Sequence, residues 1–124
     1  MRITGVVKNH TGVGSKLGYP TANLDTDESL EEGIYVGRTY LQDSSLPSLI
    51  FIGKAATFND PSMRFEVHIL DFSGDLYGKE ISVEVLQKIR DNKKFSSSED
   101  LVMQMQLDEA EARSYFGLTG KSQD

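Results

Sequence analysis

The sequence predicts a small antiparallel β-barrel with a single α-helix at its C-terminal end. Short segments rich in Val, Ile, Tyr and Phe are separated by turn residues, which is typical of small all-β domains. From residue 96 onward the apolar residues instead recur at helical spacing. We expect five or six strands, with the helix packed against the outside of the barrel or covering one end. A two-sheet sandwich is the alternative arrangement of the same strands.

Length and composition indicate one domain that covers residues 1–124. A chain of 124 residues can bury a hydrophobic core without cross-links, and it contains no cysteine for a disulfide or a cysteine-based zinc site. No segment resembles a signal peptide or a membrane span, so we expect a cytoplasmic protein. The net charge of −6 argues against binding to nucleic acid or to an anionic membrane, although a local pocket can still accept a small anion. We expect a monomer.

The strands follow from residue type and alternation. Residues 3–8 and 33–41 have the β-branched and aromatic content of strands, and residues 48–53 form an apolar run typical of a buried strand. Two segments alternate between two faces. In residues 64–72, one face consists of Phe65, Val67 and Ile69 and the other of Glu66, His68 and Leu70. In residues 79–89, one face consists of Ile81, Val83 and Val85 and the other of Ser82, Glu84 and Leu86.

Turn residues mark the connections between these strands. The glycine-rich stretch 12–18 interrupts regular structure, and residues 25–33 form an acidic connector. Further turns are predicted at residues 43–48, 58–62 and 73–75.

The helix is predicted to start at Ser96, because Glu99 follows three residues later in the pattern of a capping box. Its apolar stripe consists of Leu101, Met105, Ala112 and Phe116, and its stop signals are Gly117 and Gly120. Asp108 interrupts the stripe and is either a solvated flank or the partner of a buried group.

The stretch from Gly14 to Leu24 reads GSKLGYPTANL and combines a shaped loop with polar side chains. The order of its glycines, serine and lysine fits neither a P-loop nor a dinucleotide-binding motif. If the chain is extended after Pro20, Thr21 and Asn23 point to the same side and offer two oxygen ligands that suit Mg²⁺. The candidates for a phosphate site beside them are Gly12, Gly14 and Gly18, through their backbone N–H groups, and Lys16, through its charge.

Glu66 is the candidate general base, because a phosphoryl transfer needs a group that orients or deprotonates the acceptor hydroxyl. Spacing alone favours the ordinary interpretation, in which Glu66 is a carboxylate on the solvent face of a half-buried strand.

Six segments, in order along the chain, match the pattern of one family. They are GxxxxLGYPTANL from Gly12, GIYVG from Gly33, IG…T from Ile52 to Thr57, FEVHILDFSGDLYG from Phe65, ISVEVLQKIRDNKKF from Ile81, and L…Q…D…A in the final helix. On these motifs, which span nearly the whole sequence, the chain resembles the riboflavin kinases, or flavokinases, which make FMN from riboflavin and ATP. In bacteria such a kinase is typically the C-terminal module of a bifunctional FAD-synthesis enzyme.

The resemblance implies a six-stranded Greek-key barrel with a C-terminal helix, and a transfer of phosphate from ATP to riboflavin that gives FMN and ADP. It implies that Thr21 and Asn23 hold the metal, Mg²⁺ or else Mn²⁺ or Zn²⁺, together with the ATP phosphates, and that Glu66 is the catalytic base beside the ribityl 5′-hydroxyl. The glycine loop with Lys16 would cover the nucleotide, and a second flap that includes Arg90 and Phe95 would lie near the flavin.

Two departures from the family pattern lie near these residues: Ala56 stands where a proline is frequent, and Ser15 where bacterial members often have a basic residue. Because the chain starts at Met1 directly in the kinase module, we expect no adenylyltransferase domain and no FAD synthesis. Two alternatives to a kinase are a flavin- or nucleotide-binding module without catalysis and a barrel that serves as an interaction domain. Turnover distinguishes the first of them from a kinase.

Overall fold

The computed structural model describes residues 1–8, 21–26, 30–54, 63–72 and 76–118. Its elements are β1 (Arg2–Lys8), β2 (Ala22–Asp25), β3 (Gly33–Leu41), β4 (Ser44–Lys54), β5 (Met63–Ile69), β6 (Glu80–Arg90) and α1 (Ser98–Tyr115). The five predicted strands and the predicted helix are all present, and β2 is the short strand that follows Thr21.

The six strands close into one antiparallel barrel in the order β1-β2-β5-β4-β3-β6. Strands β3, β4 and β5 follow one another as neighbours, while β2 lies beside β5 and β6 returns to lie beside β3, which is Greek-key connectivity. The predicted barrel class is therefore confirmed, and the sandwich alternative is wrong. Closure leaves no long unpaired strand edge in the barrel wall.

The interior of the barrel is filled by one face of every strand. The members of this core are Ile3, Val7, Ala22, Leu24, Tyr35, Ile50, Ile52, Phe65, Val67, Ile69, Leu76, Ile81 and Val83. The predicted alternation in β5 is confirmed, because Phe65, Val67 and Ile69 are core residues. Glu66 therefore points to the outer wall of the barrel.

Helix α1 packs against the outside of the barrel, over β3 and β4. A second apolar cluster lies beneath it and consists of Ile34, Val36, Leu49, Leu70 and Ala112, with Phe51, Ile89 and Phe116 packed against them. Arg113 also ties the helix to the wall, because its buried guanidinium pairs with Asp71 at 2.6 Å and with Glu109 at 2.9 Å. Of the two predicted positions for the helix, the outside of the barrel is the one observed.

The predicted turn at residues 43–48 is wrong, because β4 already begins at Ser44. The connection is a two-residue hairpin at residues 42–43, in which Gln42 adopts a left-handed φ of 49°. Pro47 lies inside β4, and its carbonyl accepts a hydrogen bond from Leu70 N at 2.9 Å. A residue in a strand directs its nitrogen and its carbonyl to the same side, so the missing N–H of Pro47 faces the end of β5, where pairing stops at Ser48 and Ile69.

The start of the helix is shifted by one residue from its prediction. Ser97 is the N-cap, and its hydroxyl accepts a hydrogen bond from Asp100 N at 3.1 Å. Ser96 instead donates to the Asp100 carboxylate at 3.0 Å. Both serines precede an acidic first turn, so the spacing to an acidic residue does not decide between them.

Candidate active site

The residues predicted to hold the metal and to act as base meet where β2 lies beside β5. Asn23 is the direct cross-strand partner of Glu66. The Thr21 hydroxyl donates a hydrogen bond to Glu66 Oε1 at 3.1 Å. Asn23 lies in β2, Thr21 directly precedes that strand, and Glu66 lies in β5. The pairing of β2 with β5 brings these three side chains together on the outer wall of the barrel.

Local sequence fixes the direction of these side chains. Ala22 and Leu24 on β2, and Phe65 and Val67 on β5, occupy the barrel core. Because the side chains of a strand alternate between its two faces, the polar residues between them must face outward. Thr21 is nevertheless only 4% exposed, so its hydroxyl is held in place beside the carboxylate.

The donor atoms at this place fit a hard cation that is shared with a phosphate. Thr21 offers a hydroxyl oxygen and Asn23 an amide oxygen, and Mg²⁺ prefers oxygen ligands and keeps several waters. In the described part of the chain, no three or more His, Cys, Asp or Glu side chains form a group that could enclose a metal.

A second feature is a cleft of about 430 Å³ between α1 and the segment that precedes it. We call residues 91–96 the β6–α1 connector. Its contribution to the lining includes Phe95, Lys93 and Lys94, and the helix contributes Met103, Gln104 and Leu107. Met103 and Leu107 are each 62% exposed, so the cleft offers apolar surface together with positive charge. Lys93 lies 5.7 Å from the centre of the Phe95 ring.

Arg90, predicted to lie near the flavin, is bound to the protein itself. Its Nε and Nη2 atoms donate to Asp108 Oδ1 and Oδ2, both at 2.7 Å, and its Nη1 donates to the carbonyl of Asp91 at 3.0 Å. Asp108 also accepts a hydrogen bond from Gln104 at 3.0 Å. The interruption of the helical stripe at Asp108 is thus explained by its ion pair with the half-buried Arg90. The motif L…Q…D…A included a glutamine and an aspartate of this helix but gave neither of them a partner.

The connector is also attached to β4 through Asn92. The Asn92 side-chain amide donates to the carbonyl of Ile52 at 3.0 Å. The amide lies over Gly53, where an added Cβ would approach Asn92 Nδ2 to 2.4 Å. The absence of a side chain at Gly53 therefore leaves the space that Asn92 fills.

Lys88 carries an ion-pair cluster just before the connector. Its ammonium group pairs with Asp91 at 2.7 Å and also with Glu31. The hydrogen bond from Lys88 holds the pKa of Asp91 below its ordinary value. The hydrogen bonds to Asp91 and Glu31 in turn raise the pKa of Lys88.

The carboxylate site and the connector lie at the same level of the barrel wall. Asn23 pairs with Glu66, Glu66 with Phe51, Phe51 with Ile34, and Ile34 with Arg90. Neighbouring strands lie about 4.8 Å apart, so Glu66 and Arg90 are separated by three spacings, or about 14 Å along the wall. The wall between them is not free surface, because Ile34 is only 3% exposed and lies with Phe51 in the apolar cluster beneath α1.

The predictions for Gly12, Gly14, Lys16 and Gly18, and the two departures at Ser15 and Ala56, lie outside the described residues.

Comparison with known proteins places the chain in a family. The family model for riboflavin kinase (Flavokinase) matches residues 1–116. The chain belongs to the riboflavin kinase family. It is 36% identical over 120 residues to the bifunctional riboflavin kinase/FMN adenylyltransferase of Escherichia coli strain K12, with 94% of the chain covered. It spans 38% of the length of that enzyme, so the match concerns one part of a longer protein.

Two solved structures resemble this riboflavin kinase-family chain. The riboflavin kinase of Trypanosoma brucei aligns with a TM-score of 0.64 and 22% identity, over 94% of this chain and 79% of that one, and supports the fold. A crystal structure named as a macrolide-efflux protein of Streptococcus pneumoniae aligns with a TM-score of 0.81 and 36% identity, over 90% of this chain and 38% of that one. In the described portion of this chain, no helix has the length and apolar character needed to cross a membrane.

Proposed function

We propose that the chain transfers the γ-phosphoryl group of ATP to the 5′-hydroxyl of riboflavin, giving FMN and ADP. The observation that supports this most directly is the contact of Glu66 with Thr21, beside Asn23, on the outer wall of the barrel. A carboxylate next to oxygen ligands for a cation is the combination that phosphoryl transfer to an alcohol requires.

Glu66 is the proposed general base. Its Oε1 accepts the Thr21 hydroxyl, which orients the carboxylate and leaves Oε2 to accept the proton of the riboflavin 5′-hydroxyl. As the bond from the 5′-oxygen to the γ-phosphorus forms, the bond from that phosphorus to the β-phosphate oxygen breaks and ADP leaves. The proton of the hydroxyl ends on Glu66.

Thr21 and Asn23 are the proposed ligands of the metal. When bound, Mg²⁺ supplies positive charge that neutralises the β- and γ-phosphates of ATP. The protein's own contribution is to hold both oxygens on the same face as Glu66, which fixes the donor phosphate relative to the base. Activity with Mn²⁺ or Zn²⁺ in place of Mg²⁺ measures how selective this pair is.

The cleft at the β6–α1 connector is the proposed site for the isoalloxazine ring. Phe95, Met103 and Leu107 offer apolar surface to a planar heteroaromatic ring.

The test is turnover by the wild type and by Glu66→Gln. Purified protein is incubated with riboflavin, ATP and MgCl₂, and the flavins are separated by chromatography. We expect FMN from the wild type and a loss of about 10²–10⁴-fold in kcat for Glu66→Gln, because general-base catalysis contributes that much. Riboflavin binding, followed by the quenching of flavin fluorescence, should remain.

Glu84→Gln is the matched control, because Glu84 is also a partly buried strand carboxylate that accepts a hydroxyl, that of Tyr40 at 2.7 Å. It should keep wild-type turnover. A Glu66→Gln variant with a near-normal rate would remove Glu66 from the role of base. Binding of flavin without any FMN from the wild type would instead indicate a non-catalytic flavin-binding module.

A further inference from the structure

We propose that Arg90 and Asp108 are positioning residues that hold the β6–α1 connector in the conformation that binds flavin, and that Arg90 does not itself contact the flavin. This inference rests on the proposed function, because it assigns a role in riboflavin binding. It replaces the expectation, taken from the resemblance, that Arg90 is a flavin ligand.

The geometry of the pair leaves Arg90 committed to the protein. Both carboxylate oxygens of Asp108 accept hydrogen bonds from Arg90 at 2.7 Å, and Asp108 is only 1% exposed. Two parallel charge-assisted hydrogen bonds in a buried place are strong and directional. A flavin that took the guanidinium for itself would leave the Asp108 carboxylate buried without its counter-charge, which is costly.

The same guanidinium fixes the first residue of the connector. Arg90 Nη1 donates to the carbonyl of Asp91 at 3.0 Å, so one side chain joins the end of β6, the connector and the helix. The far end of the connector is fixed at Ser97, the N-cap of α1. The connector is therefore held at both ends, and Asn92 attaches it to β4 in between.

The pair also reaches the wall of the cleft. Gln104 lines the cleft and donates to Asp108 Oδ1 at 3.0 Å. Arg90 therefore acts on both walls of the cleft: through Asp108 it positions Gln104 on the helix, and through the carbonyl of Asp91 it positions the connector. Loss of the ion pair should change the position of both walls, while Glu66, about 14 Å away on β5, keeps its place.

The test uses the double variant Arg90→Met/Asp108→Leu. Replacing both members of a buried ion pair by apolar residues of similar size is often neutral for stability, so the variant should fold. It removes the bond to Asp91 and the partner of Gln104. We expect the KM for riboflavin to rise about tenfold or more, because displaced cleft residues weaken the binding of riboflavin. The KM for ATP should stay within about twofold of wild type, because the nucleotide does not bind in this cleft. Amide hydrogen exchange at residues 91–96 should accelerate without ligand.

Arg113→Met is the control for a helix that is merely loosened, because Arg113 also joins α1 to the barrel through a buried guanidinium. It should leave exchange in the connector and the riboflavin KM unchanged when assayed below its melting temperature. Arg90→Lys keeps the charge but not the two-pronged geometry, and it should give an intermediate riboflavin KM.

The outcomes separate this inference from the proposed function. An active wild type together with a folded Arg90→Met/Asp108→Leu variant of unchanged riboflavin KM would overturn the positioning role. A double variant whose ATP and riboflavin KM values rise equally would also overturn it. A wild type that makes no FMN would overturn the proposed function first, which is a different result.

Discussion

Gly53→Ala should weaken riboflavin binding with little change in stability. An alanine Cβ at this position would lie 2.4 Å from Asn92 Nδ2, which is too close for any stable contact. The atom that it meets is the end of a flexible side chain, so we expect Asn92 to rotate away and to lose its 3.0 Å hydrogen bond to the carbonyl of Ile52.

The size of the effect follows from two opposing terms. A lost hydrogen bond of this kind costs about 0.5–1.5 kcal/mol, and replacing a glycine by alanine at an ordinary backbone conformation gains about 0.4–1 kcal/mol through the unfolded state. The net change in the free energy of unfolding should stay within about 1 kcal/mol, or a few degrees in melting temperature. The riboflavin Kd should rise about three- to tenfold, because the connector is no longer held over β4.

The assay combines urea unfolding with a titration of flavin fluorescence, in a double-mutant cycle with Asn92→Ala. Once Asn92 is an alanine the clash is gone, so Gly53→Ala should be neutral or stabilising in that background. A coupling of about 1 kcal/mol between the two changes is expected. Additive effects, or a loss of more than about 3 kcal/mol for Gly53→Ala alone, would refute the reasoning, because the backbone of β4 and not Asn92 would then be yielding.

Two further predictions concern the helix start and the ion pairs beside the connector. Ser97→Ala should lower the free energy of unfolding by about 1 kcal/mol, because the Ser97 hydroxyl accepts the hydrogen bond from the Asp100 amide. Ser96→Ala should change the free energy of unfolding by less than half as much in the same urea titration. Asp91 has a lowered pKa in the folded protein, so its contribution to stability is complete above its unfolded pKa and is lost as the pH falls through the folded value. In the acidic range, the free energy of unfolding should therefore depend less on pH in Lys88→Met than in wild type. Equal slopes of the free energy of unfolding against pH in the two proteins would contradict a stabilising ion pair between Lys88 and Asp91.

The barrel could be predicted from the sequence because its strands carry their own signals. Phe65, Val67 and Ile69 alternate with polar residues, and this period of two decides which face enters the core. The error at residues 43–48 arose where local chemistry and tertiary context disagree: Pro47 favours a turn, yet it occupies a part of β4 that extends past the end of β5.

The candidate site was predictable only in part. Motif resemblance identified Thr21, Asn23 and Glu66, and the pairing of β2 with β5 brings them together. The role of Asn92 was not predictable, because its partner, the carbonyl of Ile52, lies 40 positions away in the sequence. Gln104 lies only four residues before its partner Asp108, but no pattern in the sequence assigned the two side chains to each other. Asp108 interrupts the apolar stripe of the helix, but a single carboxylate in a sequence does not indicate that its partner is Arg90.

The pairing of β2 with β5 has a consequence for how the protein folds. The hydrogen bond from Thr21 to Glu66 joins residues 45 positions apart, and β2 is the four-residue strand that links β1 to the β3–β5 meander. Contacts of such high sequence separation bear the loop-closure entropy before they contribute stability, so they tend to form late. Enzymatic activity regained during refolding should therefore lag behind the recovery of the β3–β4 hairpin, and would report the final closure of the barrel.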